Sequence, residues 1–194
     1  MRFLVRLSNE RKYVPADRHP LTSLAYEAVR SLGGDIGNLR ISSSAVELDL
    51  LIDSMANLDK AVQVLGDKVG SLLTIRELDV ETAIMENSEA VKLGLALFNE
   101  ERYWESHEAL EAAWRRSSGS EKEILQGIIL LAAALVHLQK SEQDITLSVM
   151  KRAYEKLEKY HNEHFGINLS ALKEEVMAMI SLGQPAFFKI EARH

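Results

Sequence analysis

The 194-residue chain contains no cysteine, which excludes disulfide bonds and thiolate metal sites. It also has no run that approaches the ~20 apolar residues of a membrane span. The most apolar stretch, residues 127–138, is about half that length. The apolar run at the N-terminus breaks after three residues, Phe3 to Val5, and is too short for a signal peptide. These absences together predict a cytoplasmic protein without a membrane segment.

An excess of basic residues, which nucleic-acid binding requires, is also missing. The net charge is −6. Residues 1–80 carry 10 basic and 11 acidic side chains, and residues 81–194 carry 13 and 18. We therefore do not expect nucleic acid as a partner of either part of the chain.

The sequence also lacks the usual devices of covalent and phosphate chemistry. No serine nucleophile stands out and cysteine is absent, so covalent catalysis has little support. The glycines at positions 33, 34 and 37 are typical of a helix end and turn, and no glycine-rich phosphate loop is present.

The first 80 residues change their hydrophobic period in the order strand, helix, strand, strand, helix, strand. Strands are predicted at residues 2–7, 38–43, 45–52 and 71–78, and helices at 21–32 and 56–69. Val46, Leu48 and Leu50 alternate with Glu47 and Asp49, which is the pattern of a half-buried strand. The βαββαβ order predicts a ferredoxin-like domain over residues 1–80, for which we expect a partner-binding, regulatory or dimerising role.

Residues 81–194 are predicted to form an antiparallel helical bundle, so the fold class is α+β. Residues 79–88 are short and partly apolar, which favours a packed connector. Helices are predicted at residues 89–100, 102–116, 121–139, 143–161 and 169–182. The apolar tail at residues 187–190 is expected to pack back on one of the two domains.

The most informative stretch is residues 98–114, because it places mixed polar and aromatic side chains on one helical arc. At ~100° per residue, Tyr103, His107, Leu110, Glu111 and Trp114 share that arc, whereas a core helix normally buries an apolar stripe. We therefore predict a site there. The candidate ligand-binding residues are Tyr103, Trp104, His107, Glu108, Glu111, Trp114, Gln126 and His137.

Register across the turn near Ser118 and Gly119 predicts which side chains meet. Glu111 and Gln126 are each seven residues from that turn, so they should lie level and form a hydrogen-bonded pair, with Gly127 allowing the two helices to approach. His137, eleven residues beyond Gln126, should approach residues 99–103. The expected site is then an elongated polar seam between helices.

Three interpretations of this seam stay open. His107 and Glu111, spaced i and i+4, can share a divalent metal, with a third ligand from Glu108, His137 or another helix. Alternatively, His107, Glu111 and Gln126 form a buried hydrogen-bonded network that serves packing. In the third interpretation Glu111 or Glu108 is a general base that orients His107.

The same residues resemble the signature of the family called domain of unknown function 309. The matching residues are Phe98-Asn99, Tyr103-Trp104, His107-Glu108, Glu111, Trp114, Leu125-Gln126-Gly127-Ile128-Ile129, Ala132-Ala133-Ala134 and His137. The resemblance covers about residues 88–165. It implies a compact helical bundle whose signature residues line the contact between its first helices, and it supplies no reaction.

The residues and the resemblance together favour a non-catalytic role in binding a ligand or a partner. A protein partner and self-association are both open, and a divalent metal is the one cofactor that the residues suggest. The alternative is a hydrolase-like enzyme, metal-dependent or general-base, that uses His107 and Glu111.

Overall fold

The computed structural model describes residues 1–78 and 85–192, which form two compact units. The first unit comprises Met1–Ala83 with Gln139–Ser141, and the second comprises Ile84–Leu138 with Glu142–His194. Most of the expected connector at 79–88 lies outside the described residues, which resume at Met85. The α+β class is confirmed, because a sheet with helices is followed by a helical region.

The described part of the first unit has four strands and two α-helices in the order that the periodicity predicts. The strands are β1 (Arg2–Ser8), β2 (Gly34–Ile41), β3 (Ala45–Ile52) and β4 (Leu72–Glu77), and the helices are α1 (Arg18–Val29) and α2 (Met55–Lys68). All strand pairs are antiparallel, and the order across the sheet is β2-β3-β1-β4. The apolar faces of the sheet and of both helices share one core.

The second face of the sheet differs from the prediction, because its charged residues are buried too. Val46, Leu48 and Leu50 lie in the core as predicted, but Glu47 and Asp49 are also buried. Arg40 lies 2.9 Å from Asp49 and 3.6 Å from Glu47, measured between side-chain N and O atoms. Burial of these carboxylates is tolerated because charged partners lie opposite them on the neighbouring strand.

The second unit contains five helices among the described residues. They are α3 (Asn87–Asn99), α4 (Tyr103–Trp114), α5 (Gly119–Gln139), α6 (Gln143–Leu157) and α7 (Leu169–Leu182). Helix α6 ends four residues before the predicted end of the helix at 161. No helix in the described part of the chain is both long and apolar enough to cross a membrane.

A small hairpin that the sequence analysis missed connects α6 to α7. Its strands are β5 (Glu163–His164) and β6 (Ile167–Asn168). Phe165 and Gly166 have φ values of 55° and 74°, which is the left-handed pair of a two-residue hairpin turn. The turn has no Asn-Gly or Asp-Gly signal, and each strand has only two residues, so periodicity could not reveal it.

Close contact between α3 and α4 sets the position of α4. Gly94 on α3 faces Leu110 on α4, and a Cβ at position 94 would lie 2.5 Å from the Leu110 Cγ. Next to this contact, the buried hydroxyl of Ser106 donates a hydrogen bond of 2.8 Å to the Gly94 carbonyl oxygen. A glycine is therefore required at position 94, where the Leu110 side chain fills the space that a Cβ would need.

Gly127 allows a different approach from the one predicted. A Cβ at position 127 would lie 2.6 Å from Leu157 Cγ and Cδ2, so this glycine faces α6. The predicted role of Gly127 in bringing α4 and α5 together is wrong. The Leu157 side chain of α6 occupies the space that a Cβ at position 127 would need.

The contact between Gly94 and Leu110 predicts the effect of a methyl group. We expect G94A to lower the free energy of unfolding by ~1–3 kcal/mol, because Leu110 is fully buried and cannot move aside. The control is G66A in α2, where a Cβ meets nothing within 4 Å and alanine should stabilise the helix by ~0.5–1 kcal/mol. Urea unfolding of both variants measures the difference. Equal stability of the two variants would contradict the packing described here.

Candidate functional site

Three side chains on α4 bring potential metal ligands together at the surface. One ligand atom from each of His107, Glu108 and Glu111 lies within 4.8 Å of the other two. His107 Nδ1 is 3.6 Å from Glu108 Oε1. The side chains of His107, Glu108 and Glu111 are 32%, 54% and 31% exposed, respectively. We call these three residues the α4 cluster. It is open to solvent, so these side chains do not form a sealed core network.

The hydrogen bond predicted between Glu111 and Gln126 is not formed among the described residues. Glu111 Oε1 instead accepts a hydrogen bond of 2.9 Å from Arg115, one helical turn further along α4. Gln126 is half-buried. Glu111 and Gln126 are not paired because α5 turns Gly127, the neighbour of Gln126, toward α6.

His137 lies at the end of α5, where Glu142 is its partner. The distance from His137 Nδ1 to Glu142 Oε2 is 2.5 Å. No hydrogen bond in the described part of the chain joins His137 to residues 99–103, where the sequence analysis placed it. His137 therefore belongs to the connection between α5 and α6 and is not part of the α4 cluster.

Other residues of the family resemblance hold the C-terminal tail. The Asn99 amide donates to the Ile190 carbonyl oxygen at 2.9 Å, and the Ile190 N–H donates back to Asn99 Oδ1 at 2.8 Å. The Phe98 ring lies edge-on to Phe188, with ring centroids 5.4 Å apart. The expectation that the tail packs on a domain is confirmed, and the domain is the helical unit.

Tyr103 is a core residue at the base of this contact. Its ring centroid lies 5.0 Å from that of Phe98 and 5.9 Å from that of Phe187. Burial, and to a smaller extent the negative charge of Glu101, raises the pKa of Tyr103 above its ordinary value. Tyr103 is fully buried, so its ring packs in the core of the helical unit.

The two tryptophans border the α4 cluster on the same helix. Trp104 and Trp114 are both half-buried. Lys122 Nζ lies 4.4 Å from the centroid of the Trp114 ring, a cation–π contact between α4 and α5. The tryptophan rings thus add partly exposed aromatic surface to the same helix as the cluster.

Two further residues organise the helix, and the sequence analysis missed both. Ser106 is buried against Gly94, as described above. Arg102, immediately before α4, forms two hydrogen bonds with Glu105 at 2.7 and 3.0 Å. The i, i+3 spacing of Arg102 and Glu105 could have predicted that these two side chains pair. Nothing in the sequence marks Ser106 as buried.

A groove of about 780 Å³ lies elsewhere on the same unit, and the sequence analysis did not find it. The β5–β6 hairpin, α7 and the tail line it. The charged lining residues are Glu163, Glu175, Lys189 and Glu191. Partial burial, and then the negative charge of Glu191, raises the pKa of Glu175. The groove was missed because its charges come from three separate elements.

The fold and the cluster define a class, a small helical domain that carries an open His–Glu cluster on its second helix. Residues 91–149 match the model of the family described as Domain of unknown function (DUF309). This match over residues 91–149 agrees with the sequence resemblance. All eight candidate site residues fall within the matched segment.

One solved structure that resembles the chain is described as a crystal structure of the conserved hypothetical protein TTHA0068 from Thermus thermophilus. The two chains are 32% identical, and the match covers 46% of this chain and 94% of the other, with a TM-score of 0.41. No curated protein matches the chain.

The two hydrogen bonds of Asn99 predict how the tail is held. We expect N99A to lower the free energy of unfolding by ~1–3 kcal/mol and to speed hydrogen exchange of the Ile190 amide. The control is N162A, because Asn162 is exposed and the structure describes no hydrogen bond for it, so stability should change by less than ~0.5 kcal/mol. An unchanged exchange rate at Ile190 in N99A would show that Asn99 does not hold the tail.

Proposed function

We propose that this protein has a non-catalytic binding role and that the α4 cluster is its binding site, with a divalent cation as the ligand. The observation that carries the proposal is the convergence of an imidazole nitrogen and two carboxylate oxygens within 4.8 Å at a partly exposed surface. Glu111 lies four residues after His107 and three after Glu108, so one rigid helix places its carboxylate beside both.

The ligand types favour a transition-metal ion or zinc over calcium or magnesium. Imidazole nitrogen suits zinc, copper, iron and nickel, whereas magnesium and calcium prefer oxygen ligands alone. A closed structural zinc site has four protein ligands, and the α4 cluster offers three. The remaining coordination positions would be filled by water, by a small anionic ligand or by a side chain of a protein partner.

Arg115 competes with the cation for Glu111. Because the Arg115 side chain is 68% exposed, its ion pair with Glu111 contributes little, ~0–1 kcal/mol, and can be broken at small cost. Removal of the guanidinium should therefore increase cation affinity.

The second candidate function is metal-dependent hydrolysis at the same cluster. A cation held by His107 and Glu111 has open positions for a water molecule, which the bound cation can activate as a nucleophile. Glu108, the most exposed member of the cluster, would then be the general base. The binding role comes first because the cluster supplies cation ligands but no nucleophile of its own.

We also propose that the first unit is a ferredoxin-like domain and that the boundary between the domains lies at residues 80 and 81. The βαββαβ order and the sheet order β2-β3-β1-β4 support the domain type. We propose a small ligand or a protein as the partner of the helical unit, in preference to nucleic acid. Its 18 acidic residues against 13 basic residues support this choice, since phosphate backbones require the opposite balance.

Isothermal titration with Zn²⁺, and visible absorption with Co²⁺, test the cation site. Wild-type protein should bind one equivalent, and H107A and E111Q should each weaken binding by at least ~10-fold. R115A should bind more tightly than wild type, because Glu111 is then free of its ion pair.

The matched controls are H19A and E155Q, which remove an exposed imidazole and an exposed carboxylate outside the cluster. Both should bind like wild type. Equal binding by H107A, E111Q and the two controls would overturn the cation site. Metal-dependent ester hydrolysis that is lost in E108Q would favour the second candidate function instead.

A further inference from the structure

Strand β4 forms one edge of the sheet and exposes apolar side chains there. Leu72, Leu73 and Ile75 are 44%, 46% and 38% exposed, and every residue of this six-residue strand is exposed. Within the described residues, β4 pairs with β1 on one side and with no strand on the other. An exposed apolar edge of this kind is a template for another strand.

The backbone pattern shows which groups a new strand would meet. The Leu78 N–H donates to the Arg2 carbonyl oxygen at 2.8 Å, so the Leu78 backbone groups face β1. Backbone direction alternates along a strand, so the N–H and C=O of Ile75 and Glu77 point away from the sheet. Water can satisfy these outward groups in the monomer, and the extended backbone of another strand can replace that water.

Strand β2, at the other edge of the sheet, is less able than β4 to pair with a strand of another chain. Its pairing with β3 is irregular between Ile36 and Leu39, where Gly37 lies against the Asp49 side chain. Leu39, Arg40 and Ile41 are buried. Bulges and short regular segments are devices by which proteins block edge pairing. Strand β4 also has an irregularity, where its pairing with β1 shifts between Arg6 and Leu7. From Thr74 to Glu77 the pairing of β4 with β1 is regular.

We propose that β4 pairs in antiparallel fashion with β4 of a second copy of this chain, which joins the two sheets into one continuous sheet. With the two-fold axis at Ile75, the two copies of Ile75 face each other and exchange both backbone hydrogen bonds. Thr74 then lies opposite Arg76 of the other copy, and Leu73 lies opposite Glu77.

Charge selects this register over its neighbour. A two-fold axis at Arg76 would place the two guanidinium groups directly opposite each other, and like charges in that position are destabilising. With the axis at Ile75, no two like charges are directly opposed, because Arg76 faces Thr74. The strand also carries one cation and one anion, so two copies do not repel each other through net charge.

Edge pairing alone makes a small interface, so we expect a reversible dimer. Two six-residue strands bury less than the ~1,200 Å² of stable specific interfaces. The dissociation constant should therefore lie in the tens of micromolar, about −5.5 to −6.8 kcal/mol.

Sedimentation equilibrium of the full chain between ~5 and ~500 µM tests the proposal, because this range brackets the expected dissociation constant. Wild type should change from monomer to dimer, and I75K should weaken the dimer by at least ~10-fold, because two ammonium groups then face each other. T74E should tighten it by ~2- to 10-fold, because each new carboxylate lies opposite Arg76 of the other copy. The control L51K makes the same change as I75K at an exposed residue of β3, whose two edges are both paired, and should leave the equilibrium unchanged.

Site-specific cross-linking gives a second readout that does not depend on charge. Because the chain has no cysteine, I75C and L51C each introduce a single thiol. A short bis-maleimide should link I75C into covalent dimers much faster than L51C. A monomer at all concentrations, equal cross-linking of the two variants, or a dimer that I75K does not weaken would each overturn the proposal.

Discussion

The close approach of α3 and α4 at Gly94 is the constraint on which the rest of the helical unit depends. One face of α4 packs against α3 through Leu110 and through the hydrogen bond that Ser106 donates to the Gly94 carbonyl oxygen. Tyr103, at the start of α4, packs against the rings of Phe98 and Phe187. With these positions taken, His107, Glu108 and Glu111 remain on the face toward solvent. The contact between α3 and α4 at Gly94 therefore forms part of the core and leaves the α4 cluster exposed to solvent.

The residues that carry the family resemblance consequently have two different roles. Phe98, Asn99 and Tyr103 hold the tail, which lies outside the matched residues 91–149. The members of the α4 cluster are partly exposed, and their ion pairs join them to each other and to Arg115. A sequence signature of this kind mixes residues that fold the domain with residues available for binding, and only their burial separates the two sets.

Periodicity predicted the helices and strands well wherever an apolar face was long enough to detect. The predicted bounds of 169–182 agree with α7, and the βαββαβ order of the first unit agrees with the structure. Side-chain pairing was less predictable, because it depends on helix rotation. Equal distances from the turn suggested that Glu111 meets Gln126, but the packing of Gly127 on Leu157 rotates α5 differently. Likewise, alternation could not reveal that Glu47 and Asp49 are buried with arginines of neighbouring strands.

The groove between the β5–β6 hairpin, α7 and the tail is a second acidic region on the same unit. A test of the proposed cation site must therefore show where the cation binds as well as that it binds. Paramagnetic broadening of amide signals by substoichiometric Cu²⁺, an ion that imidazole ligands suit, tests that location directly, because the effect falls steeply with distance from the bound ion. The account predicts that signals of residues 104–112 on α4 broaden first, and that those of Glu163, Glu175 and Glu191 change only at higher ion concentrations. Earlier or equal broadening in the groove would contradict the assignment of the cation site to His107, Glu108 and Glu111.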